Sequence, residues 1–289
     1  VGFHTQFHCN NFIESVDRFL ESRIDYEHFT VNREKHTTFI KPFPISIDFT
    51  SAHDAPGQTA ETKESLLKKY NIQAEFLAVG VDRLDYTKGI VERFRAVEQL
   101  LESNPKLREK FTFVELGAPS RTMIAKYKEF VDEVVKEVER INTRFQTKNW
   151  QPILFLMKHH SHAEILPFYK AADVCLVTSL HDGMNLVAKE YVSAREDEKG
   201  VLILSQFTGV SREFLDALIV NPYDIAQTAT AIKSALAMST AEQTERMRRM
   251  RNIVKDRNIY RWASELVGEL AKVRLNENMG GDNGHDGTN

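Results

Sequence analysis

The run Phe76-Leu77-Ala78-Val79-Gly80-Val81-Asp82-Arg83-Leu84-Asp85-Tyr86-Thr87-Lys88-Gly89 decides how the rest of the sequence is read. Its first six residues are compactly apolar, the pattern of a strand buried on both faces rather than on one. After Gly89 the periodicity changes. Ile90, Phe94, Val97 and Leu101 fall on one side of a helix predicted over Gly89–Glu102. Between strand and helix lie two cations, Arg83 and Lys88. A strand that passes through a charged turn into an amphipathic helix is the opening of a βαβ unit.

Outward from this unit the alternation repeats. Strands are predicted at Phe111–Leu116, Ile153–Met157, Val174–Thr178, Val201–Leu204 and Leu218–Val220. Helices are predicted at Thr122–Phe145, Ala163–Tyr169, Leu186–Ala194, Ile225–Leu236 and Ala241–Leu270. The count from Phe76 is about six strands, short of the eight of a closed barrel. The predicted fold class is therefore α/β, an open, doubly wound parallel sheet of Rossmann type. Before Phe76 the pattern is thinner: a short strand at Val1–Phe3, a helix from Phe7 to Leu20, an extended stretch through Lys35–Ile45, a loop at Asp48–Gln58 and a helix at Thr62–Tyr70.

Composition sets outer limits. The 289 residues carry 38 Lys and Arg against 41 Asp and Glu, a net charge of −3, with 42% hydrophobic residues. That balance suits a folded chain of one or two domains and argues against a basic nucleic-acid binder. No apolar run approaches the roughly 20 residues of a membrane span. Cys9 and Cys175 lie too far apart for a metal-binding spacing or a disulfide framework, which points to a reducing, cytoplasmic setting.

In an open α/β sheet, ligands collect beyond the carboxyl ends of the strands, so four segments following strands are candidate sites. In the first, Arg83 and Lys88 precede a helix N-terminus at Gly89, a combination that can bind phosphate; the plainer reading is a solvated loop whose charges are met by Asp82 and Asp85. The Gly-rich run of a P-loop is missing. In the second, Gly117-Ala118-Pro119-Ser120-Arg121, Arg121 can clamp another anion or simply begin a helix. The third, Lys158-His159-His160-Ser161-His162, is a short histidine loop with Glu164 as its only nearby carboxylate. It suits a pocket wall better than a tetrahedral metal site. The fourth is His181-Asp182-Gly183-Met184-Asn185-Leu186-Val187-Ala188-Lys189-Glu190. Here Asp182 can accept hydroxyl hydrogen bonds, and Gly183 to Leu186 offer backbone N–H groups. Glu190 lies roughly 12 Å further along at 1.5 Å per residue, so only an extended ligand reaches both carboxylates; an Asp helix cap with a solvated Glu is the alternative.

These segments resemble one family. Val1-Gly2-Phe3-His4-Thr5, the run Gly80–Gly89, Arg140-Ile141-Asn142, Asp182–Glu190, Val201–Phe207 and Val220-Asn221-Pro222-Tyr223 are similar to the trehalose-6-phosphate synthases of glycosyltransferase family 20. The similarity runs from residue 1 to about 273. It implies a GT-B architecture of two Rossmann-like domains and retaining transfer of glucose from UDP-glucose to glucose 6-phosphate. It also implies no obligatory metal or other cofactor.

Carried over by position, Arg83 and Lys88 resemble the pair that grips the donor pyrophosphate, and Asp182 the carboxylate that holds glucose hydroxyls. Gly183, Met184, Asn185 and Leu186 resemble the cradle around the donor. Glu190 resembles the acid that binds the ribose, His160 the stretch facing the base, and Arg121 the ligand of the acceptor phosphate. The implied partners are small molecules, a nucleotide sugar and a sugar phosphate, with no nucleic acid and no membrane; a homo-oligomer is compatible with the reading. His181 stands where the family usually has Arg, and His160 where Phe is common. Glucosylglycerol-phosphate synthase, using ADP-glucose and glycerol 3-phosphate, shares the scaffold, and a non-catalytic regulatory chain on the same fold is the alternative from another class. The implied domains are residues 1–48, the end of an acceptor-side domain expected to be truncated, residues 49–273, the donor domain, and a disordered tail at 274–289.

Overall fold

The computed structural model describes residues 1–52, 62–120 and 125–279 of the chain. They form two compact units, one of residues 1–48 together with the chain from Asp256 onward, the other of Phe49–Lys255.

In the first unit, β1 (Gly2–Phe3) leads into α1 (Gln6–Phe19). Thr5 caps the helix, its Oγ1 accepting from the His8 N–H, and Cys9, Ile13 and Val16 form its buried stripe at helical spacing. Three short strands follow, β2 (Arg23–Asp25), β3 (Thr30–Arg33) and β4 (His36–Phe39), paired antiparallel, with Ile24 opposite Val31 and Thr30 opposite Phe39. Glu34, at φ 56°, makes the turn between β3 and β4. Then β5 (Lys41–Pro42) pairs in parallel with β1. Cys9, Ile13, Val16, Val31 and Ile40 close the small core. The sequence pattern predicts the α1 helix and the extended stretch but not this antiparallel sheet, whose strands are short and largely polar.

The second unit begins with a 3-10 turn at Phe49–Ala52 and α2 (Lys63–Lys69). It continues as β6 (Phe76–Arg83), α3 (Ile90–Ser103), β7 (Phe111–Ala118), α4 (Ala125–Phe145), β8 (Ile153–Leu156), α5 (His162–Ala171), β9 (Val174–Val177), α6 (Leu186–Ala194), β10 (Val201–Ser205), β11 (Leu218–Val220), α7 (Ile225–Ala237) and α8 (Thr240–Asp256). The six strands from β6 are all parallel, in the order β8-β7-β6-β9-β10-β11. Numbered from β6 this is 3-2-1-4-5-6, the doubly wound order with its reversal between β6 and β9.

Alternate strand residues, Phe111 and Phe113, Val174 and Leu176, Val201 and Ile203, share one core with Phe94, Val134, Ile141 and Ile232 of α3, α4 and α7. The intervening Leu77, Val79, Cys175, Val177, Leu202 and Leu204 are equally buried. Burial on both faces explains why the strands read as unbroken apolar runs.

The predicted helix Ala241–Leu270 is two helices, α8 and α9 (Ile259–Met279). Asn258 interrupts it by capping the second, its Oδ1 accepting from the Arg261 N–H at 3.0 Å. In the first unit, α9 is tied by the Trp262 indole, which donates to the Phe43 carbonyl at 3.1 Å, and by the Ile259 N–H, which donates to Ile47 O at 2.9 Å. The helix extends through 274–279, which the sequence reading gave to a disordered tail; residues 280–289 lie outside the described residues. The sequence pattern places the end of the second domain at about 273, whereas the chain from Asp256 onward groups with residues 1–48.

Candidate active site

The site forms at the reversal point of the sheet. Strand β6 pairs with β7 along its whole length, but with β9 only at Ala78–Val174 and Val79–Cys175. Beyond those pairs β6 and β9 part company, and a crevice opens between their carboxyl ends.

Arg93, reaching back from α3, lies at the base of the crevice and is completely buried. Its Nη2 donates to Asp82 Oδ2 at 2.7 Å, its Nη1 to Glu115 Oε2 at 2.7 Å and its Nε to Thr178 Oγ1 at 3.0 Å. One guanidinium thereby joins the ends of β6, β7 and β9. Burial raises the Asp82 carboxyl above its ordinary value, against the pull of Arg93 and Lys88. Burial likewise pushes Glu115 up to about 7. Burial alone would lower Arg93, but Glu115 and Asp82 raise it further, so it stays charged.

The loops above this base are locked together. Gly89 has φ +64°, and a Cβ there would sit 2.3 Å from the Thr178 carbonyl oxygen, so both conformation and space require glycine. The Leu180 and His181 N–H groups both donate to Thr87 O, at 2.8 and 3.2 Å. Asp85 accepts from the Thr87 N–H at 3.0 Å and from the Tyr127 hydroxyl at 3.2 Å. The solvated-loop alternative therefore fails for Asp82 and Asp85, each only 7% exposed and each committed to a partner.

Lys88 projects into the crevice. Its Nζ donates to Asp182 Oδ2 at 2.6 Å and lies 3.8 Å from Asp82 Oδ1. Asp182 also accepts from the Asn185 amide at 3.1 Å and from the Met184 N–H at 3.4 Å. Its backbone is fixed by Phe207 O and the Gly209 N–H, both at 3.2 Å. Asn185 sits at φ 76° and caps α6, its Oδ1 accepting from the Ala188 N–H at 3.1 Å. The N–H groups of Leu186 and Val187, the first two of that helix, have no acceptor within it. Asp182 is thus more than a helix cap, because Asn185 performs the capping.

A cavity of about 260 Å³ opens here, near the lower end for small-molecule pockets. It brings together four of the residues singled out in the sequence: Arg83, Lys88, His160 and Glu190. Asp182 joins them through Lys88. Arg83 is exposed at the cavity wall. Glu190 accepts from the Tyr169 hydroxyl at 3.1 Å, which orients it at the cavity wall. His160 places Nε2 at 3.3 Å from Leu156 O, while its Nδ1 is buried without a partner. Gly183, Met184, Asn185 and Leu186 build the turn beside Asp182 rather than the cavity wall itself. Arg121 lies outside the described residues.

The sequence offers Asp82 only as a counter-charge of the loop, and it does not mark Arg93, Glu115 or Thr178 for the floor or Val81, Leu116, Ala118 and Ile165 for the wall. In the histidine loop, Glu164 is already engaged: it forms a capping box with Ser161 and accepts from Lys158 at 3.0 Å. Hydrogen bonds from the Ser161 N–H first, then Lys158, hold its carboxyl down to about 2. Among the described residues no group of three or more His, Cys, Asp or Glu is placed to hold a metal ion, and no helix is long and apolar enough to cross a membrane.

The profile of Glycosyltransferase family 20 matches residues 1–272. The chain belongs to glycosyltransferase family 20. Relatives of this family 20 chain include the bifunctional trehalose-6-phosphate synthase/phosphatase of Thermoproteus tenax, 37% identical over 274 residues, covering 95% of the chain and 37% of that protein. The crystal structure of a UDP-forming trehalose-phosphate synthase from Burkholderia xenovorans in complex with glucose-6-phosphate is 35% identical with a TM-score of 0.88, covering 93% of the chain and 60% of its counterpart. A trehalose-6-phosphate structure from E. coli, bound with UDP-2-fluoro glucose, is 32% identical with a TM-score of 0.87, again covering 93% and 60%. The family 20 chain therefore spans 60% of these two solved structures and 37% of the bifunctional relative. Its fold class is α/β of the GT-B type; the sequence pattern predicts the α/β doubly wound sheet, and the family resemblance implies the GT-B type.

Proposed function

We propose that the chain supplies the donor side of a retaining glucosyltransferase, which moves glucose from UDP-glucose to glucose 6-phosphate and gives trehalose 6-phosphate and UDP. The observation that carries this reading is the convergence of Arg83, Lys88, His160 and Glu190 on one cavity at the sheet reversal, with Asp182 bonded to Lys88.

In this reading Arg83 and Lys88 face the pyrophosphate and stabilise the negative charge that grows on the leaving phosphate oxygen. They perform the electrostatic task that a metal ion performs in other glycosyltransferases. Glu190 accepts from the ribose hydroxyls, the His160 loop borders the base, and Asp182 accepts from the glucose hydroxyls. The bond from glucose C1 to the β-phosphate oxygen breaks. A bond from C1 to the acceptor hydroxyl oxygen forms on the same face, and the hydroxyl proton passes to the departing phosphate. Arg121 is assigned to the acceptor phosphate by family resemblance. A reducing, cytoplasmic setting fits the two cysteines, both free and buried.

Support for UDP and glucose 6-phosphate over ADP-glucose and glycerol 3-phosphate comes from the ligands of the E. coli and Burkholderia relatives. Retention of Arg83, Lys88, Asp182 and Glu190 together favours an enzyme over a regulatory chain. The test offers the full-length gene product UDP-glucose or ADP-glucose with glucose 6-phosphate or glycerol 3-phosphate. Trehalose 6-phosphate from the first donor and first acceptor is the expected product, and its absence overturns the reading. Arg83→Ala in that protein should greatly reduce turnover without altering the melting temperature.

A further inference from the structure

We propose that Asp182 is a specificity determinant that makes the site favour an intact nucleotide sugar over the bare nucleotide diphosphate, by pairing with Lys88 whenever no sugar is present. The proposal rests on the donor-site reading above and adds a coupling between two of its residues.

The pair is well placed for this. Lys88 Nζ and Asp182 Oδ2 are 2.6 Å apart, and the two side chains are only 15% and 17% exposed, so water screens the contact weakly. The next carboxylate, Asp82, is 3.8 Å from Lys88 and is committed to Arg93 at 2.7 Å. Asp182 is therefore the principal counter-charge of Lys88. A phosphate that approaches Lys88 must also approach the Asp182 carboxylate, which cannot retreat far. Its backbone is held by Phe207 and Gly209, and its oxygens by Asn185 and Met184.

Two ligands meet this carboxylate differently. In a nucleotide sugar the β-phosphate is esterified to the sugar and carries one charge. As Lys88 turns to it, the sugar offers hydroxyl donors that replace the lost ammonium at Asp182. In a bare nucleotide diphosphate the terminal phosphate gains a second charge with a pKa near 6 and brings no hydroxyl donors. Asp182 is then left without its cation beside a more negative group, which penalises binding. After transfer the same penalty favours release of the nucleotide diphosphate.

The experiment is calorimetric titration of the chain with UDP and with UDP-glucose, for the wild type and for Asp182→Asn. The Asn side chain keeps an oxygen for the Asn185 amide and loses the charge. Asp182→Asn should bind UDP more tightly, by about fivefold or more, and UDP-glucose more weakly, a reversal of preference on the scale of ordinary coupling between ligand groups. A residue that only supported the fold would weaken both. Should the Asn variant not fold by circular dichroism, Asp182→Ser carries the same comparison. A wild type that binds neither ligand overturns the donor-site reading and this inference with it. A wild type that binds both, with a variant that leaves UDP affinity unchanged or lowers it, overturns this inference alone.

Discussion

Replacing Glu115 with Gln should abolish a specific pH dependence of stability. Glu115 is wholly buried; its Oε2 accepts from Arg93 at 2.7 Å, and its Oε1 has no partner. Burial raises its carboxyl from the ordinary 4.5 to about 7, against the opposing pull of Arg93. The sign follows from linkage. Between pH 4.5 and about 7 the folded chain keeps a proton that the unfolded chain has released, so unfolding free energy falls as pH rises through that window. At about 1.36 kcal/mol per pH unit, the interval amounts to about 3 kcal/mol.

Gln keeps an oxygen for Arg93 and cannot ionise. Carboxylates held low by arginines, such as Glu98 and Glu137, push stability the other way as pH rises, but they are common to both proteins and cancel in the difference. Asp82 shares Arg93, so the two carboxyls release their protons as a pair, and the substitution should also let Asp82 ionise at lower pH. Urea unfolding at a series of pH values from 4.5 to 8 measures the effect. The wild type should lose about 3 kcal/mol relative to the variant across the series. Parallel curves would refute the claim that an ionisable Glu115 is buried beneath the site.

Gly89→Ala should destabilise the chain by more than the ~1–2 kcal/mol of a left-handed residue, because the new Cβ also strikes the Thr178 carbonyl; thermal unfolding measures it, and a loss below that figure contradicts the geometry. Lys189, 1% exposed, donates to both oxygens of Glu213 at 3.1 Å. Lys189→Met should cost about 3–5 kcal/mol by stranding Glu213, and the double variant Lys189→Met/Glu213→Leu should recover much of it in denaturant titrations. Thr5→Ala removes the cap of α1 and should cost about 1 kcal/mol, read as a shift of the unfolding midpoint.

What the sequence discloses and what it hides divide along a physical line. The parallel sheet is legible because strands buried on both faces must be apolar at every position, and a run such as Phe76–Val81 admits few other readings. Arg83 and Lys88 are legible because charge between a strand and a helix lies where ligands collect. Arg93 is not. It occupies an amphipathic helix between Ile90 and Phe94, where an arginine normally faces water, and its burial depends on β6 and β9 separating beyond Val79. The strands of the first unit stay hidden for the opposite reason: residues such as His36 and Thr37 are exposed and leave no apolar pattern.

The same division explains why the charged segments become a site only through the order of the strands. Lys88 and Asp182 are 94 positions apart. Each motif alone fits a surface loop or a helix cap. They meet because the first and fourth strands of the sheet are neighbours at its reversal, with Arg93 holding the floor between them. On the donor-site proposal, a change that shifts this junction, at Gly89 or Arg93, should therefore weaken UDP-glucose binding in a calorimetric titration as strongly as loss of a cation in the crevice, although neither residue lines the cavity.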